Sequence, residues 1–261
     1  MAKESNPALR SIISKGVKAP RGGMRTEAEV NAITKKDVVN KTFVLLFVVL
    51  LAAVPSYLAA ATGIVGLGFA SAAAIITALT GLGVIIFATF TNRMNSPLIG
   101  MIYSVLEGVF LGFGSFIITM GAAGEMAGGQ MIALAVMSTL VVFGIMLFLY
   151  RSGFITVNKT FIVVVTALTL GVLIVSLGAL ALNLLGFGAV LRGATTLGIL
   201  FSLFCIVLAA LNLCIDFHLV DELVEAQAGK EYAWGAALGL VITLVWLYIE
   251  ILILIRNLTS R

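Results

Sequence analysis

Three carboxylic acids stand in stretches that contain almost nothing else able to carry charge: Glu107, Asp216 and Glu250 each fall within or at the end of a long apolar run. An ionised side chain in hydrocarbon costs about 2.5–3.5 kcal/mol even on a lenient insertion scale. No Lys or Arg lies comparably deep, so a proton or a bound cation must neutralise part of this set. Burial favours the neutral form of a carboxyl, and a second carboxyl nearby favours it further in one of the two. A protonated pair can share a hydrogen bond and hold two helices together. Ionised, the pair repels and its oxygens become ligands for a hard cation such as Ca²⁺. The alternative is three unrelated neutral acids, each hydrogen-bonded within a bundle.

Each acid has polar company at helical spacing. Asn212 precedes Asp216 by one turn, Thr243 and Trp246 precede Glu250 by seven and four residues, and Tyr103 and Ser104 precede Glu107 by four and three. His218, the single histidine, is two residues from Asp216. It could titrate near neutral pH, although such a residue is more often simply interfacial. The two cysteines, Cys205 and Cys214, are nine apart in one apolar run, a spacing that suits neither a disulfide nor a metal site. Catalytic patterns are missing as well. For an intramembrane protease, Gly112-Phe113-Gly114-Ser115 is not the usual nucleophile sequence, His218 has no obvious serine partner, and an aspartyl mechanism would want two buried Asp where one is present. No phosphate loop, haem motif or zinc spacing occurs, so the reading is a non-enzyme without a cofactor, apart from Ca²⁺ as a transient ligand.

The elements that position these acids follow from the apolar run lengths. Thr42 to Ala61, Phe69 to Phe90, Leu98 to Met120, Met131 to Tyr150, Phe161 to Leu182, Thr195 to Ile215 and Trp234 to Ile255 are each about 20 residues, enough to cross a bilayer as a helix. With 61% hydrophobic and 11% charged residues and a mean hydropathy of +1.17, the chain could not cover a water-facing surface. The predicted fold is all-α: a polytopic seven-transmembrane-helix bundle over residues 42–261, preceded by a basic cytoplasmic tail over residues 1–41. That tail holds nine of the sixteen Lys and Arg, which points to anionic lipid or a topology signal and not to nucleic acid. No cleavable signal is expected, since the first apolar run starts some forty residues in.

Sidedness follows from the same charges. With the N-terminus inside, thirteen basic residues fall on the inner side, and Arg192, Arg256 and Arg261 on the outer. The expected location is the cell membrane, where the positive-inside rule puts the N-terminus in the cytoplasm and an odd number of spans then puts the C-terminus outside. Pro97 fits a first helical turn. Gly121, Gly124, Gly128 and Gly129 read as breakers after the third run. The pairs Gly108/Gly112 and Gly235/Gly239 are spaced for close helix approach.

Two segments carry a family resemblance. Ile215-Asp216-Phe217-His218-Leu219-Val220 and Leu247-Tyr248-Ile249-Glu250-Ile251-Leu252 resemble the signature segments of the Bax inhibitor-1, or transmembrane Bax-inhibitor-motif, family. The seven-span layout and basic N-terminal tail are similar too. The resemblance implies a carboxylate pair that senses pH and gates a Ca²⁺ leak, with Asp216 and Glu250 as gate and as transient Ca²⁺ ligands. It makes Arg93 the nearest match to a basic latch at the end of the second span, and Glu107 an accessory acid of at most a subgroup. The family's seventh-helix acid is typically Asp; Glu250 is one methylene longer.

Spacing sets a condition on that pair. Asp216 ends its span on the inner side, whereas Glu250 lies sixteen residues beyond Trp234, about 24 Å along a helix. They can meet only if the Lys230 to Gly239 region lies at the inner surface, with Arg256 snorkelling outward. Leu219 to Glu225, with an apolar stripe beside three acids, would extend the sixth helix along the interface. Two functions remain open: a pH-sensitive cation leak or exchange pathway, and a non-transporting regulator that binds other membrane proteins or a membrane protease.

Overall fold

The computed structural model describes residues 31–120, 126–184 and 193–260; most of the basic tail, Gly121, Gly124, Arg192 and Arg261 lie outside them. Seven helices occupy the described residues, all long and apolar enough to cross a membrane. They are α1 (Lys35–Ala61), α2 (Leu67–Phe90), α3 (Pro97–Met120), α4 (Gly128–Arg151), α5 (Lys159–Leu184), α6 (Thr196–Glu225) and α7 (Tyr232–Thr259). Each takes in one expected apolar run. Pro97 opens α3, and α6 continues through Leu219 to Glu225 as one helix.

Local chemistry sets the ends. Thr34 and Asp37 form a reciprocal capping box: the Thr34 hydroxyl accepts from the Asp37 amide at 3.2 Å, and the Asp37 carboxylate accepts from the Thr34 amide at 2.9 Å. This cap starts α1 at Lys35, so the helix takes in Lys35 to Lys41 from the segment read as tail. Gly63 and Gly153 follow α1 and α4 at φ of 76° and 75°, conformations that a side chain would strain.

α7 is the centre of the bundle, packed against α1, α3, α4 and α6. Small residues open it to close approach near its start: Ala233, Ala236 and Ala237 are buried, and Gly235 and Gly239 press against the Asn95 and Asp216 side chains. α1 and α3 approach as the glycine spacing implied. A Cβ on Gly108 would collide with the Val49 carbonyl, and one on Gly112 with the Ala53 carbonyl. By contrast α2 is held by α3 and α5 by α6, and these two outer helices have no substantial interface with each other. Phe43, Phe47, Phe148 and Ile174 point outward, as residues facing lipid do.

At the end where α1, α3, α5 and α7 begin, residues 31–35 strap onto the α6–α7 turn. The Ile33 amide donates to the Ala228 carbonyl at 2.7 Å and the Lys230 amide to the Asn31 carbonyl at 3.0 Å. Lys35 Nζ pairs with Asp221 Oδ1 at 2.5 Å, and the Tyr150 hydroxyl donates to Asp221 Oδ2 at 2.9 Å. Lys41 Nζ reaches the Lys230 carbonyl at 2.6 Å and sits 5.3 Å from the centroid of the Trp234 ring. The strap therefore joins α1, α4, α6 and α7 at one end of the bundle.

Candidate functional site

Asp216 is half-buried on α6 and faces α7. Thr243 Oγ1 donates to its Oδ2 at 2.7 Å. One turn earlier Gly239 leaves room for the carboxylate, since a Cβ there would come within 3.4 Å of Oδ1. The neighbouring Phe217 turns the other way and packs edge-on against Phe143 of α4, with centroids 5.5 Å apart. Asp216 is thus fixed between two helices, and what α7 offers it is uncharged: one hydroxyl and the surface of a glycine.

Glu250 is 1% exposed. Trp246 Nε1, one turn earlier on α7, donates to its Oε1 at 3.3 Å. The Tyr248 hydroxyl and Ser115 Oγ lie 2.8 Å apart and tie the same stretch to α3. Thr243, the residue bonded to Asp216, precedes Glu250 by seven positions, about 10.5 Å of helical rise. The two acids therefore engage different turns of α7, with separate hydroxyl and indole partners. α7 is already buried at Ala233, in its first turn.

The other candidates have their own neighbours. Glu107 is 9% exposed on α3 and faces α2, where a Cβ on Gly81 would lie 3.7 Å from both its Oε2 and the ring of Tyr103. Asn212 turns away from Asp216: its Nδ2 donates to Thr169 Oγ1 on α5 at 2.8 Å and to the Leu208 carbonyl at 2.9 Å. His218 Nε2 is 3.6 Å from Glu222 Oε1, one turn on. Arg93 is exposed in the α2–α3 turn. Thr243 and Gly239 carry the contact with Asp216. The sequence offered Thr243 as a companion of Glu250, and the Gly235/Gly239 spacing signalled a close approach without naming the partner.

A cavity of about 590 Å³ lies between α2, α3, α5 and α7, in the half of the bundle where α3 and α7 end, and Glu250 and Trp246 are among its lining residues. Among the described residues no three His, Cys, Asp or Glu side chains converge.

A protein-family model described as Bax inhibitor 1 like matches residues 6–260 of the chain. No curated protein and no solved structure matches it.

Proposed function

The chain belongs to the Bax inhibitor 1-like family, and from that premise we propose that it is a pH-sensitive cation leak, with Ca²⁺ as the cation carried. Asp216 is its gate and Glu250 a second carboxylate further along the same helix. The observation that supports this reading is the seat of Asp216, a half-buried carboxyl closed against α7 by one uncharged hydroxyl.

Magnitudes decide the direction of the switch. A neutral Asp216 keeps its hydrogen bond to Thr243 and the helices stay in contact. An ionised one gains about 1.5–3 kcal/mol from a hydrogen bond to a charged group, whereas an uncompensated buried charge costs several kcal/mol. One hydroxyl does not offset that cost. Ionisation therefore favours water and a cation between α6 and α7, and flux rises with pH. Glu250 then offers the next carboxylate along α7, and Glu107 is an accessory acid on α3.

The strap end, with its basic residues, is cytoplasmic on this reading. The direct experiment is Ca²⁺ flux from liposomes containing the full chain. Asp216→Asn, permanently neutral, should give low flux at every pH, and Glu250→Gln should reduce flux. Flux unaltered in both variants would sink the proposal. No flux in wild type, together with reproducible co-purification of a membrane-protein partner, would favour the regulator.

A further inference from the structure

The cavity that reaches Glu250 has an unusual set of walls. Ser71 and Ala78 come from α2, Ser115 from α3, Ser176 from α5, and Trp246 and Glu250 from α7. α2 and α5 both line it, yet each is anchored to a different helix and they share no substantial interface. In a bilayer, a gap between two outer helices of this kind would open sideways to lipid, and on this reading the cavity is such a slot. Most of its remaining lining is Ala, Ile, Leu and Phe.

Apart from Glu250 and a few serine hydroxyls these walls offer no side-chain oxygen ligands, so the bulk of the cavity is not built for a metal ion. An apolar pocket of a few hundred Å³ with a small number of placed polar groups instead suits an organic ligand. The polar groups here specify its charge. Glu250 supplies a carboxylate, and Trp246, half-buried and hydrogen-bonded to it at 3.3 Å, supplies an indole. An acid beside an aromatic face is complementary to an ammonium-like cation, which the ring attracts through its quadrupole. An acid at membrane depth also keeps its charge partner close when the surroundings exclude water.

We propose that this slot binds a hydrophobic organic cation taken up from the bilayer. Its apolar substituents occupy the α2–α5 gap and its charge lies against Glu250 and Trp246. The site goes beyond the Ca²⁺ leak and does not rest on it, since binding requires the slot and Glu250 but neither Asp216 nor any flux.

The test is equilibrium binding of radiolabelled tetraphenylphosphonium to the full chain in nanodiscs of neutral lipid, with empty discs subtracted. Saturable binding is expected in wild type. Glu250→Gln should weaken it about tenfold or more, the loss of a charge-assisted contact. Ala78→Phe, which fills the slot and leaves the acid intact, should weaken it to a similar degree. Gly83→Ala, on the same helix but with open space around it, should bind as wild type does, and thermal unfolding checks that each variant is folded. Binding that is absent in wild type, or equal in wild type, Glu250→Gln and Ala78→Phe, overturns the proposal. A failed flux assay alongside Glu250-dependent binding would remove the leak and leave this site standing.

Discussion

Thr243 Oγ1 lies 2.7 Å from Asp216 Oδ2, a hydrogen bond that joins the central helix α7 to the part of α6 carrying the proposed gate acid. It sits between the strap, which binds the α6–α7 turn, and the slot at Glu250. A change at this contact is therefore felt by the helix that touches most of the bundle.

Thr243→Val keeps the shape of the side chain and removes the donor. Stability should fall by about 0.5–1.5 kcal/mol, or somewhat more where Asp216 is charged. Ca²⁺ flux at low pH should rise several-fold, because the neutral acid no longer has its closing partner. Thr243→Ser, which retains the hydroxyl, should behave like wild type in the same liposome assay.

The glycines of α3 and α2 predict opposite outcomes for the same substitution. Gly108→Ala places a methyl against the Val49 carbonyl and Ala52 of α1, which only a backbone shift relieves; overpacking of this kind costs about 1–3 kcal/mol. Gly83→Ala meets nothing within 4 Å and should be neutral or stabilising, by about 0.5–1 kcal/mol. Thermal unfolding in detergent separates the two, and equal melting temperatures would contradict the α1–α3 packing.

The strap makes a prediction readable by hydrogen exchange. The Lys230 amide donates to the Asn31 carbonyl, so it should be protected in the full chain and exchange freely when residues 1–33 are deleted. Asp221→Asn should act more weakly. Its pair with Lys35 is partly exposed, at 52% and 31% for the two side chains, and exposed pairs contribute about 0–1 kcal/mol.

Much of this fold was legible because hydrocarbon thickness is a hard constraint: a run of about 20 apolar residues can hardly be anything but a span, and each expected run became a helix. The start of α1 was less visible, since Lys35, Lys36, Asp37 and Lys41 interrupt the apolar pattern. The signal was present in Thr34-x-x-Asp37, a capping box ahead of an apolar run. Rotation of the helices was not legible. A helix that is apolar on every side has no moment to show which face points inward, so the side chain opposite Asp216 could not be deduced. Asn212 illustrates the point: it shares a face with Asp216 by spacing, yet it bonds to Thr169 on α5.

The central claim is that ionisation of Asp216 opens a path for Ca²⁺ past Thr243. Its most direct test is Ca²⁺ efflux from liposomes across a pH series, comparing wild type with Asp216→Asn. In wild type, efflux should rise with pH through one titration. In Asp216→Asn it should stay low and flat, with thermal unfolding confirming that the variant is folded. An Asp216→Asn protein that conducts with the wild-type pH profile would contradict the assignment of Asp216 as the gate.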